Sequence, residues 1–222
     1  MRKLLILAAL LLCAFPANAQ VAQTGAGKAT PGGGAASPTT WNPSDKGAGQ
    51  TLTNGNLTLT GTTVEAVRSI NPHTTGKYYF EVTLDAVTGD SQSTGVANST
   101  FVVTTFAGNT NSAAIFYNSG NMLVGNVTAL TIPAISVTHI ACHAIDLTNG
   151  KWWVRDGASG NWNNDVIGNQ NPANNTGGVN ISSIVSGNMF AAGTSDSSGA
   201  TTTINFGTTA FSGTAPSGFG NW

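Results

Sequence analysis

The sequence predicts an all-β fold, a sandwich or a barrel, on three observations. Short apolar runs alternate with turn signals from residue 41 to the end of the 222-residue chain. None of these runs keeps helical periodicity over three turns, and no helical stretch separates them. Residues 78–84 follow the strand rule: Tyr78, Phe80, Val82 and Leu84 fall on one face, and Tyr79, Glu81 and Thr83 on the other. One face is expected to pack inward and the other to meet solvent or a neighbouring layer.

Further runs of strand length follow in order at residues 56–60, 101–106, 113–117, 122–124, 140–147, 151–155, 189–192 and 201–206. Turn chemistry predicts hairpins at Asn54-Gly55 and Asn149-Gly150, because Asn-Gly accepts the positive φ angles of a type I′ turn. The second turn joins 140–147 to 151–155, which puts Trp152 and Val154 on the core face and Trp153 on the other with Lys151 and Arg155. No repeat of fixed period occurs, which excludes solenoids and propellers.

Domain organisation follows from composition. Arg2 and Lys3 precede an apolar run over residues 4–12 and then Ala17-Asn18-Ala19, the pattern of a secretory signal cleaved near Ala19. The run is shorter than the roughly 20 residues of a membrane helix, and Leu12 stands where lipidation at Cys13 would need a small residue. A secreted or periplasmic chain with no membrane span is therefore expected. Residues 20–40 are Gly, Ala, Thr and Pro with almost nothing to bury, a flexible linker. Residues 41–222 then form one domain, long enough to bury its own core.

Loss of residues 1–19 leaves six basic and nine acidic residues, a formal charge of −3. That balance excludes nucleic acid, whose binding rests on clustered Lys and Arg. Charged residues make up 8% of the chain, against about 25% in average proteins, and Asn, Thr, Ser and Gly supply the polarity instead. Such a neutral, hydrogen-bonding surface suits glycans or other neutral polymers. Cys142 alone remains after processing, so no disulfide forms within one chain.

Three motifs then fit together: Gly76-Lys-Tyr-Tyr-Phe-Glu-Val82, Ala144-Ile-Asp-Leu-Thr-Asn-Gly-Lys-Trp-Trp-Val-Arg155, and Thr203-Ile-Asn-Phe-Gly207 followed by Phe211 and Pro216-Ser-Gly-Phe219. In that order, with Val67-Arg68-Ser69 before the first, the chain resembles the SPRY domain family over residues 41–222, as a secreted bacterial or phage-like member. The resemblance implies an antiparallel two-sheet β-sandwich, a concanavalin-like jelly roll used mainly for binding, with the three motifs as frame and the variable loops as binding surface. Two stretches depart from the pattern, the Gly-, Ser- and Thr-rich 88–111 and the Asn-rich 161–178. Both read as loops, where such domains bind.

Catalytic constellations are thin. Concanavalin-like sandwiches also carry glucanases, yet a retaining glycosidase needs two carboxylates about 5–5.5 Å apart. Glu65 and Glu81 are the two glutamates, and no strand carries acids at alternate positions. Asp156 and Asp165 flank a loop without any spacing that brings them together. Glu81, inside a framework strand, reads as a hydrogen-bonding or surface residue, and Asp146, before an Asn-Gly turn, as a turn stabiliser. His139 and His143 project to one strand face and Cys142 to the other, so they do not converge on a metal.

Binding chemistry is richer. Asn161, Trp162, Asn163, Asn164 and Asp165 combine an aromatic ring with amides and a carboxylate, the composition of a sugar-stacking site, and they are the candidate binding residues; the alternative is that Trp162 folds back as a plug over the sandwich edge. Asn-x-Ser/Thr sites at Asn56, Asn98, Asn126, Asn174 and Asn180 are mostly accounted for by chance in so Asn- and Thr-rich a chain. A membrane barrel is disfavoured by Pro216 and three glycines in the last ten residues. The sequence thus predicts a secreted, non-catalytic module that recognises a protein or a glycan without a cofactor; a structural or adhesive surface component is the alternative, and a glycoside hydrolase is less favoured.

Overall fold

A computed structural model describes residues 38–86, 89, 91–196 and 199–222. The expected signal segment and all but the last three residues of the expected linker lie outside the described residues. In chain order the strands are β1 (Trp41–Lys46), β2 (Gln50–Thr53), β3 (Thr58–Gly61), β4 (Glu65–Ser69), β5 (Lys77–Ala86), β6 (Ser93–Asn98), β7 (Ser112–Phe116), β8 (Asn121–Val124), β9 (Val127–Thr131), β10 (Ile140–Asp146), β11 (Lys151–Asp156), β12 (Val179–Asn180), β13 (Met189–Ser195), β14 (Thr201–Asn205) and β15 (Gly220–Asn221).

They form the two-sheet antiparallel sandwich expected from the sequence. One sheet runs β1-β4-β13-β6-β7-β8-β9; the other runs β12-β11-β10-β5-β14-β3-β2, with β15 added in parallel to β5. Between them lies the main core, in which Phe80, Val82 and Leu84 of β5 meet Val96, Ile115 and Met122 of the opposite sheet. Trp152 and Val154 face this core as expected. Among the described residues no helix is long and apolar enough to cross a membrane.

The outer face of β5 meets a neighbouring layer. Tyr79 and Glu81 are buried there beneath the chain that follows β14, where Tyr79, Cys142, Ala144, Trp153 and Trp162 form a second small core with Phe211 and Phe219 against it. Glu81 fastens that layer: its carboxylate accepts from Tyr79 Oη at 2.7 Å, from Ser212 N at 2.8 Å and from Gly213 N at 2.7 Å. Gly213 is needed at this point, because a Cβ would lie 2.9 Å from Arg155 Nη2 and 3.0 Å from Tyr79 Oη.

Two local expectations change. The stretch 88–111, read as a loop, contains β6, a fully buried central strand, whereas 101–106, read as a strand, is a series of turns. The physical reason is size. Ala66, Ala97, Ala114 and Ala192 keep the outer face of this sheet low, and Phe101 and Ala107 of the turns pack down onto it. Gly95 lies against the Ala113 carbonyl with no room for a Cβ. A central strand built from Ser, Thr, Gly and Ala has little apolar signal.

The Asn149-Gly150 connection is a four-residue turn in which only Gly150 adopts positive φ, 62°. Asp146 explains the change from the expected type I′ form. Its carboxylate accepts from Asn149 N at 2.9 Å and Asn149 Nδ2 at 2.8 Å, so the aspartate shapes the turn. At the other predicted hairpin Asn54 and Gly55 do take positive φ, 51° and 63°, within a four-residue connection from β2 to β3.

Candidate binding groove

The Asn-rich segment after β11 is built as a rigid wall. Trp162, in a short 3-10 turn (Trp162–Asn164), is 6% exposed: its ring lies 4.5 Å from the Arg155 guanidinium and edge-on to Tyr79 at 6.5 Å. A cation over an indole face, shielded from water, favours this arrangement. Asn163 takes left-handed backbone, φ 48°, which turns its amide toward β11. Its Oδ1 accepts from Val154 N at 2.9 Å, in the place of a strand partner, and its Nδ2 donates to Gln170 Oε1 at 3.0 Å. The same Gln170 oxygen accepts from Gly178 N at 2.8 Å. Trp153 Nε1 and Lys151 Nζ donate to the Thr176 and Gly177 carbonyls, tying the far end to β11.

Facing this wall is an open strand edge. β9 is the last strand of its sheet and pairs only with β8. Among the described residues, nothing outside β8 hydrogen-bonds to the backbone of residues 127–131. Two clefts lie between β9 with its continuation and the wall. One, of about 240 Å³, is lined by Ile132, Pro133, Asp156, Gly160, Asn161 and Asn164. The other, of about 300 Å³, is lined by Ala129, Leu130, Asn163, Gln170, Gly178, Val179 and Asn180. They open on either side of the Trp162 turn and share the chain from 129 to 133 as one wall.

The five candidate residues therefore separate. Trp162 and Asn163 are buried supports, and Trp162 has no free face for a sugar ring. Asp165 organises its own loop, accepting from Val166 N at 2.7 Å and from Asn169 Nδ2 at 3.2 Å. Asn161 and Asn164 are exposed, line the first cleft, and have side-chain amides with no hydrogen-bond partner among the described residues. Beside them Asp156 pairs with His139 at 2.9 Å. The sequence did not point to residues 129–133, because a run of Val, Thr, Ala and Leu at the edge of a sheet reads like any short strand. The lack of a charged residue or proline within 127–131 is the one signal it carries.

Other titratable groups are committed to structure. His143 is buried in the main core; Trp152 Nε1 donates to its Nδ1 at 3.3 Å, and its Nε2 lies 3.1 Å from Thr94 Oγ1. Glu65 accepts from Gly49 N at 2.7 Å and Thr63 Oγ1 at 2.9 Å, and these bonds hold its carboxyl below the ordinary range. Among the described residues no three His, Cys, Asp or Glu converge as a metal site. Asn98 is 4% exposed with its amide bonded to the Ile184 carbonyl, so its Asn-x-Thr site is closed in the folded chain.

No family model matches the sequence, and no curated protein sequence matches it. Solved structures do resemble the fold. The SPRY domain of human HERC1 superposes with a TM-score of 0.57 at 13% identity, covering 77% of this chain and 99% of that domain. The PSpry domain of TRIM65 gives 0.55 at 13% identity, covering 76% and 89%. At that identity the likeness is one of architecture: the chain has a SPRY-like fold.

Proposed function

We propose that this protein is an exported, non-catalytic recognition module that holds an extended polypeptide segment in the groove beside β9. The observation that carries the reading is the open backbone edge of β9 set against a wall that is already rigid. An extended chain can add to a sheet edge through main-chain hydrogen bonds while side chains across the groove supply selectivity. Asn161 and Asn164 are suited to that, since each amide offers a donor pair and an acceptor to a peptide backbone. Preorganisation of the wall through Asn163, Gln170 and Trp162 lowers the ordering cost of binding.

Among the described residues Asp156, hydrogen-bonded to His139 Nδ1 at 2.9 Å, is the one charged residue in the lining of the two clefts, so the segment expected carries no acidic side chains and is made of small or polar residues. A SPRY-like sandwich, an architecture used mainly for binding, agrees with this reading. Its test is selection of peptides from a random display library against residues 38–222, followed by affinity measurement on the Asn161→Ala/Asn164→Ala double variant. Selected peptides are expected to bind the variant at least about tenfold more weakly, the loss of one or two hydrogen bonds. Unchanged affinity, or no peptide selected, overturns the proposal.

A further inference from the structure

A second, chemically different cleft lies on the outer face of the other sheet. It has a volume of about 390 Å³ and sits between β14, the 54–57 turn and the chain after β14. Thr83, Thr208, Thr209 and Ser212 line it, and no hydrogen bond to another described group engages any of these four hydroxyls. Its charged lining group is Glu81, whose oxygens are taken by Tyr79, Ser212 N and Gly213 N. Leu57, Phe206 and Ala210 add apolar surface.

The far wall is held in place before any ligand arrives. Asn205 Nδ2 donates to the Thr209 and Ala210 carbonyls at 3.3 and 3.2 Å, Asn205 Oδ1 accepts from Gly207 N at 2.9 Å, and Asn221 Nδ2 donates to the Gly207 carbonyl at 3.0 Å. From the cleft a row of threonines runs straight across the sheet: Thr83 on β5 is in register with Thr203 on β14, Thr203 with Thr58 on β3, and Thr58 with Thr53 on β2. Neighbouring strands are about 4.8 Å apart, so the row extends some 14 Å with a hydroxyl at each step.

We propose that this cleft and threonine row bind a neutral oligosaccharide, one sugar unit seated in the cleft and its neighbours lying across β14 and β3. The hydroxyls of Thr83, Thr208, Thr209 and Ser212 can each donate and accept, which matches a ligand whose own groups do the same, while Thr203 and Thr58 are paired with each other at 2.9 Å and Thr203 donates to Asp85. The charge beside the cleft is negative, from Glu81 and from the exposed Asp85, whose Oδ2 accepts from Thr203 Oγ1 at 2.6 Å, which disfavours phosphates and acidic sugars. A volume near 390 Å³ is at the small end for a ligand site. The site is separate from the groove beside β9 and does not rest on the peptide reading.

The test is titration of the full-length protein with neutral gluco-, galacto- and manno-oligosaccharides of two to six units, followed by calorimetry or ligand-observed NMR. Thr83→Val, which keeps shape and removes one hydroxyl, and Ser212→Ala are each expected to weaken binding about tenfold. Thr83→Ser retains it, and Asn161→Ala/Asn164→Ala leaves it unchanged. Thermal melting of every variant separates lost binding from lost folding. The proposal is overturned if none of these sugars binds, if affinity survives in the Thr83→Val/Ser212→Ala double variant while it is folded, or if the groove variant abolishes binding instead.

Discussion

His143 Nε2 and Thr94 Oγ1, 3.1 Å apart, join the two sheets across the middle of the core. His143 lies on β10 and Thr94 on β6, and the threonine hydroxyl also contacts the Tyr117 hydroxyl. With Trp152 Nε1 donating to Nδ1, the proton of the neutral ring sits on Nε2 and is donated to Thr94. Burial pushes the imidazole pKa down to about 3 from 6.5.

Acid sensitivity follows. As pH falls the unfolded chain takes the His143 proton first, so the stability this residue contributes is complete above about pH 6.5 and is lost progressively toward pH 3. The slope is about 1.4 kcal/mol per pH unit at most. Urea unfolding at pH 7 and pH 4.5 measures it, and the loss is expected to shrink in His143→Gln. An equal loss in both proteins would assign the acid sensitivity to other groups.

Trp162 is expected to matter for folding and its exposed neighbours for binding. Trp162→Ala removes a 6%-exposed indole from between Arg155 and Tyr79, and a loss of about 3 kcal/mol is expected. Asn161→Ala, at an exposed position, should stay within about 0.5 kcal/mol of the parent, whereas Asn164→Ala, at a left-handed backbone position of φ 55°, is expected to lose about 1 kcal/mol. Chemical denaturation of the three variants decides it.

Glu81→Gln keeps the shape and turns one acceptor oxygen into an NH2 group that faces donors. A loss of about 1–3 kcal/mol is expected, with the layer over Tyr79 loosened first. Hydrogen exchange should therefore rise in residues 207–219 before it rises in the central strands. Uniform acceleration across both sheets would contradict a local role.

Cys142 is buried, and burial pushes its thiol pKa up. Thiol reagents at neutral pH should therefore label it only on unfolding, at a rate set by denaturant rather than reagent concentration. Rapid labelling of the native chain would mean that the layer above it opens freely.

Much of the frame was legible because its residues obey period two. Residues 78–84 show their inner face directly, and Trp152 and Trp153 lie on opposite faces as their alternation predicts. β6 was hidden because its packing depends on small side chains, with Gly95 against the Ala113 carbonyl, and smallness looks like a loop in one dimension. The candidate site was half legible. An Asn-rich insertion with a tryptophan marks an unusual loop, but Asn163 and Trp162 are held by Val154, Gln170 and Arg155, contacts fixed only by folding. The opposite wall, β9, carries no special residue; its significance is that, among the described residues, nothing pairs with its outer edge.

Amide hydrogen exchange of β9 in the presence of a display-selected peptide tests the central claim most directly. Slowed exchange confined to residues 127–133 and 156–164, lost in Asn161→Ala/Asn164→Ala, is the result expected for strand addition in the groove. Protection that falls instead on residues 51–60 and 201–212, with β9 exchanging as in the free protein, would contradict it.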